Sequence, residues 1–352
     1  MENNRIKSRR LSTRWRSLFG VAVLGTVFVA VLGTALGVGL SGTAQAQGNA
    51  SAGSWPTKPL RLFVPSTAGD GSDVLARLVT RPLGEALGQT FVIENRPGAG
   101  GSIAAVAMLG AAADGYTLML GNGSSHGVTP GLYPRLPYDT LRDFTAVTLI
   151  ATSPNLLLVH PSLPVRSMAE FLSYVRANPG KLNIASAGNG SLSHLSVELL
   201  RSQGQLELVN VGYKGAAPAL NDLVAGQVNA MIINIPSALT LLQAGKLRAL
   251  ASTSARRTSL MPELPTLAES GLPGYDTVAW FGLVAAAKTP PEVVARLHAE
   301  TQKVLARPEL REQLARLGAE PATLSSEAFA GFMRNEVAKY SKIIRDAGIK
   351  VE

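Results

Sequence analysis

The sequence predicts an α/β fold in which a parallel or mixed sheet is covered by helices on both faces. Two observations predict it. Apolar runs of strand length alternate with amphipathic helical segments along most of the chain. The junctions from strand to helix are rich in glycine and serine. Composition bounds the answer further. A chain of 352 residues, 46% hydrophobic and without cysteine, is not a disordered tail. It is not a disulfide scaffold, and it offers no thiol nucleophile and no cysteine-ligated metal site.

The N-terminus reads as an export signal. Arg5, Lys7, Arg9, Arg10, Arg14 and Arg16 face a lone Glu2, residues 18–40 carry no charge, and Ser41-Gly42-Thr43-Ala44-Gln45-Ala46 ends the stretch in small residues. A basic region, an apolar region and an Ala-x-Ala site place cleavage after Ala46. The apolar run is also long enough to span a bilayer, so a retained anchor is the alternative. Removing residues 1–46 takes six of the 33 basic residues and one of the 24 acidic ones, which leaves a net charge of +4. That excess is spread along the chain with no basic, aromatic-interleaved run, so no nucleic-acid partner is expected. The expected organisation is a signal over 1–46, a flexible leader over 47–54 and the folded part from 55.

The elements follow in order. Residues 60–65 are a strand, 66–72 its loop, and 73–87 a helix that Pro82 is expected to kink or split. Residues 91–94 are a short strand. The Gly98-Ala-Gly-Gly-Ser102 run leads into an alanine-rich helix ending near Ala113, and 116–120 form the next strand. Residues 147–150 and 155–160 are expected as separate strands, with a helix over 168–177. Strand 182–186 passes through loop 187–191 into helix 192–203, where Leu192, Leu195, Leu199 and Leu200 share a face. Strand 206–211, helix 217–225 closed by Gly226, and strands 230–235 and 247–252 around a short helix come next. A long strand over 277–286 precedes helices at 291–306, 308–317 and 326–347.

In such sheets ligands sit outside the carboxyl ends of the strands. Here those ends carry loops 66–72, 121–125 and 187–191. Free N–H groups of a first helical turn and the helix dipole favour an anion, and Ser72, Ser124 and Ser191 add hydroxyls. None of the three loops contains Arg or Lys; Lys214 is the nearest candidate cation by sequence. A single such loop is ordinarily just a turn, but three at equivalent positions point to a small anion, most naturally a carboxylate.

Catalytic motifs are missing: no G-x-S-x-G, no G-x-x-x-x-G-K-[ST] and no H-E-x-x-H. The four histidines are too scattered for a metal site, and no cofactor is expected. His194, in the first turn of its helix, is either a ligand contact or a capping or core residue. Asp73 is first a dipole-complementing or capping residue and second a ligand contact. Trp280 and Phe281 line the cleft or belong to the core.

Several ordered motifs resemble one family. They are Trp55-Pro-x-Lys-Pro59, Glu94-Asn-Arg-Pro-Gly-Ala-Gly-Gly101, Asp114-Gly-Tyr116-Thr-Leu, Leu136-Pro-Tyr138-Asp, Ser186-Ala-Gly-x-Gly190-Ser-x-x-His194, Tyr213-Lys-Gly215, Gly245-Lys-Leu-Arg-Ala249 and Pro265-Thr-x-x-Glu269-x-Gly-x-Pro-Gly274-Tyr. The chain from Trp55 onward resembles the Bug family of extracytoplasmic solute receptors, the binding component of tripartite tricarboxylate transporters. The resemblance implies a type II periplasmic-binding-protein fold: two α/β lobes joined by two crossover segments around a ligand cleft. Lobe one would comprise 55–154 and 280–352, and lobe two 155–279.

It further implies a periplasmic, monomeric receptor, not an enzyme. The receptor would close on a small carboxylate (a di- or tricarboxylate, amino acid or aromatic acid) and deliver it to a transporter of two integral membrane proteins. The expected binding residues are Thr67, Gly69, Gly71, Ser72, Asp73, Asn122 and Ser124 from lobe one. From lobe two they are Ser186, Gly188, Gly190, Ser191, His194, Tyr213 and Asn234. The alternatives are a periplasmic enzyme on the same scaffold, with His194 as general base, and a receptor that signals to a membrane sensor.

One departure stands out. The family's first loop usually reads Pro-Phe-x-x-Gly-Gly-x-x-Asp; here it is Pro65-Ser66-Thr67-Ala68-Gly69-Asp70-Gly71-Ser72-Asp73. A carboxylate in an anion-binding loop repels a carboxylate ligand. Either Asp70 points away from the ligand, or the ligand carries a positive group such as an amine.

Overall fold

The computed structural model describes residues 55–350; the expected export signal and leader lie outside them. The first lobe is a sheet of β1 (Leu60–Val64), β2 (Phe91–Asn95), β3 (Thr117–Asn122), the first part of β4 (Phe144–Val159), β9 (Val278–Ala286) and the short β10 (Glu320–Pro321). β1 runs parallel to β2 and β3, whereas β9 runs antiparallel to both β3 and β4. The second lobe is built on the end of β4 with β5 (Leu182–Ser186), β6 (Leu208–Gly212), β7 (Ala230–Asn234) and β8 (Arg248–Ser252).

The period-two alternation sorts the core. Leu60, Leu62 and Val64 pack on one face of the first sheet with α1 (Gly71–Leu87), α8 (Pro291–Leu305) and α9 (Pro308–Arg316). Phe63 faces the other side, with Met108 of α2 (Ser102–Leu109), Trp280, and Phe329 of α10 (Ser326–Asp346). In the second lobe Leu157 and Val159 pack with α4 (Met168–Ala177) and α5 (Leu192–Gly204). Leu156 and Leu158 pack with α6 (Ala216–Val224) and α7 (Ile235–Gln243).

Four expectations need correction. The strands expected at 147–150 and 155–160 are one element, β4, which pairs with β9 as far as Pro154 and with β7 and β8 from Asn155–Leu156 on. Thr152-Ser153-Pro154 reads as a break, yet it is where one strand passes from sheet to sheet, with register shifts on either side of it, between Ala146 and Ala151 and at Leu157–Leu158. α1 begins at Gly71, not at Asp73, because Asp70 is the cap. α1 also runs unsplit through Pro82, which sits half-buried within it. α2 stops at Leu109 rather than near Ala113, since Gly110 ends the turn. Two segments were not expected: a π-helical turn over Gly123–Val128 and the one-turn α3 (Thr129–Leu132).

Both crossovers meet in a polar knot. The Asn155 N–H donates to Thr253 Oγ1 at 3.2 Å, the Thr253 N–H to the Asn155 carbonyl at 2.9 Å, and the Thr277 N–H to the Thr253 carbonyl at 2.9 Å. The outgoing strand is thereby tied to the returning segment just before β9.

The cleft between the lobes

Beside that knot the lobes enclose a cavity of about 700 Å³, a size suited to a small ligand. Its wall is made where helices begin. Asp70 caps α1 through Oδ1, which accepts from the Ser72 N–H at 3.0 Å. Asn122 caps the π-helical turn in a reciprocal arrangement with Ser125. Ser191 caps α5 by accepting from the His194 N–H at 3.0 Å, and Asn234 caps α7 by accepting from the Ser237 N–H at 3.1 Å. Positive helix ends from both lobes therefore face one space. Among the described residues the N–H groups of Ser124, Asn189 and Gly215 in this wall donate to no acceptor.

The expected site residues divide. Ser72, Asn122, Ser124, Gly188, Ser191, Tyr213 and Asn234 line the cavity. The Tyr213 hydroxyl donates to Asp222 at 2.7 Å. Thr67, Gly69, Gly71, Asp73, Ser186, Gly190 and His194 are not brought to the wall. Asp73 instead anchors the first loop: it accepts from the Gly69 N–H at 3.0 Å, from Asn95 at 3.0 Å and from Arg77. Burial pushes its carboxyl up, but the hydrogen bonds from Arg77, Gly69 and Asn95 outweigh that and hold it below its ordinary value. His194 is buried beside Glu198, and desolvation lowers its pKa. Among the described residues its ring hydrogen-bonds to no serine hydroxyl, so His194 forms no nucleophile–base pair.

Other residues complete the wall: Ser66, Asp70, the Pro97–Gly101 run, Tyr133, Asn155, Lys214, Trp280 and Phe281. The glycine run belongs to the motif that begins at Glu94. Its Glu94 is clamped by Arg61 at 2.7 Å and Arg96 at 2.9 Å. Asn95 ties it to the first loop through the Ser66 carbonyl at 3.1 Å. Tyr133 carried no local signal; it reaches the cavity only because the lobes meet.

The lobes also touch each other directly. The Gly71 N–H donates to Ser237 Oγ at 2.8 Å, the Leu192 N–H to Ser124 Oγ at 2.9 Å, and the Tyr133 hydroxyl to the Asn189 carbonyl at 3.3 Å. Gly100 lies so close to Gly190 that a Cβ would stand 2.5 Å from its carbonyl oxygen, and its φ is +62°. These contacts hold the two halves of the wall against each other.

Comparison with known proteins gives a consistent result. A family described as "Tripartite tricarboxylate transporter family receptor" matches residues 75–349. Protein BugT of Bordetella pertussis is 34% identical over 94% of this chain and 98% of its own length. A Rhodopseudomonas palustris protein solved with adipate superimposes with a TM-score of 0.81 at 41% identity, covering 84% of this chain and 99% of that one. MatC from Rhodopseudomonas palustris, solved with malate, gives 0.79 at 36% identity, covering 82% and 100%.

Proposed function

The chain belongs to the tripartite tricarboxylate transporter receptor family, and on that premise we propose that it captures a small carboxylate between its lobes and delivers it to a membrane transporter. The fold is that of the periplasmic binding proteins, and the family consists of periplasmic receptors rather than enzymes, which sets aside the alternative with His194 as base. One observation carries the carboxylate reading: capped helix starts from both lobes converge on one cavity in whose wall several backbone N–H groups lack an acceptor. Relatives solved with adipate and with malate support the same class.

In this reading the ligand's carboxylate takes N–H groups and hydroxyls from each half, so it binds the closed arrangement better than the open one. The closed form is the one a transporter of two integral membrane proteins recognises. The receptor acts as a monomer, exported by residues 1–46. Small-angle scattering across a panel of mono-, di- and tricarboxylic acids tests the capture step. At least one acid is expected to compact the protein in proportion to its calorimetric occupancy. No compaction and no heat with any acid would overturn the proposal. Uptake that persists after deletion of the neighbouring membrane components, with gene induction lost, would favour a sensor as the partner.

A further inference from the structure

Asp70 is the sole acidic side chain in the cavity wall among the described residues. It lines the cavity while only 8% exposed, and its Oδ1 is fixed by the Ser72 N–H at 3.0 Å. Its other oxygen, Oδ2, accepts no hydrogen bond among the described residues. No described cation pairs with it. Its nearest charged neighbour is Asp73, of the same sign, already neutralised by Arg77. Lys214 is exposed where it borders the cavity.

A carboxylate removed from water needs a partner. Inside a closed cleft, two unpaired carboxylates, one from the protein and one from the ligand, oppose closure. Among the described residues no cation pairs with Asp70, and the one basic side chain in the wall, Lys214, is exposed to solvent, so a cationic group on the ligand relieves the repulsion. Resting on the carboxylate reading above, we propose that Asp70 is a specificity-determining residue that selects a ligand carrying a protonated amine besides its carboxylate. The backbone N–H groups hold the ligand's negative end, and Asp70 Oδ2 accepts from the ammonium. Burial supports this, because it pushes the Asp70 carboxyl up to about 6; a bound ammonium restores its ionised form.

Calorimetry with matched pairs tests the proposal: succinate against aspartate, glutarate against glutamate, and adipate against 2-aminoadipate, for the full-length chain and for D70N and D70S. Asparagine and serine both cap helices, so the two variants remove the charge while keeping the start of α1. The amino member of the best pair is expected to bind the unsubstituted protein at least about tenfold more tightly, the effect of one charge-assisted hydrogen bond. That preference is expected to shrink to within about threefold in both variants. If the unsubstituted protein binds the plain diacid as well as its amino counterpart, or better, the selectivity inference is overturned and the carboxylate reading stands. If no acid of either kind binds, both fall.

Discussion

The seam between the lobes makes closure sensitive to a single methyl group. Gly71 lies at the start of α1, its φ is not in the left-handed region, and its N–H crosses to Ser237 Oγ at 2.8 Å. A Cβ there would stand 3.2 Å from Asn234 Cγ and 3.1 Å from Ser237 Oγ, and closer still to Asn234 Oδ1. Asn234 cannot swing aside freely, because that oxygen caps α7 and also accepts from Ser237 Oγ at 2.9 Å. Closing Gly71→Ala therefore costs the crossing hydrogen bond, about 1 kcal/mol, and most of the cap, about 1–2 kcal/mol. At about 1.4 kcal/mol per decade, affinity should fall roughly 30- to 150-fold. The open protein should not suffer, since alanine fits this backbone and restricts the unfolded chain. The assay pairs ligand calorimetry with thermal unfolding of the ligand-free protein. Affinity within about threefold of the parent, or a lowered melting temperature that accounts for the loss, would refute the seam argument.

Two further outcomes are expected. Because the folded state raises the Asp70 pKa from 3.8 to about 6, the folded protein binds its proton more tightly than the unfolded chain does. Ligand-free stability from this group therefore falls as pH rises from about 4 to about 6, by about 3 kcal/mol, and stays level above. Denaturant melts should find D70N equal to the parent near pH 4 and more stable by that amount at pH 8; equal stability at both would contradict it. Trp280 is fully buried and lines the cavity, whereas Trp55 packs on Tyr116 at 5.8 Å. Ligand should change tryptophan emission in the parent and leave it unchanged in Trp280→Phe, with calorimetry confirming that the variant still binds.

What the sequence made legible is what local chemistry controls. Alternation along 60–65 puts Leu60, Leu62 and Val64 on one face, and the glycine–serine junctions lie beside the cavity. The family motifs carry the two-lobed arrangement. What stayed hidden depends on distant partners. The passage of β4 between sheets is decided by its pairing with Ala279 and Val278 on one side and Asn234 on the other, so Thr152-Ser153-Pro154 alone reads as a loop. Asp70 and Asp73 are equally good helix starters by type. Asp73 is taken out of the cap role by Arg77 and Asn95, the second of which is 22 residues away. The Gly98–Gly101 run had the glycine signal of a close approach, but the surface it approaches, at Gly190, belongs to the other lobe.

By sequence the polar residues of the junctions are ligand donors, and the structure shows several of them as caps; these roles are compatible for some side chains and exclusive for others. A capping serine or asparagine accepts from the helix with its oxygen and still holds a proton to give. Among the described residues the hydroxyl of Ser191 and the amide nitrogen of Asn234 donate to nothing. An ionised aspartate caps equally well but has no proton to offer. Exchanging serine or asparagine for aspartate at a cap thus leaves the helix start intact while turning one point of the wall from donor to acceptor. Asp70 places such an acceptor at the entrance to α1, where the resembled family's loop carries a glycine with no side chain. The polarity that the wall offers a ligand at this point is therefore set by one side chain, without any change in fold.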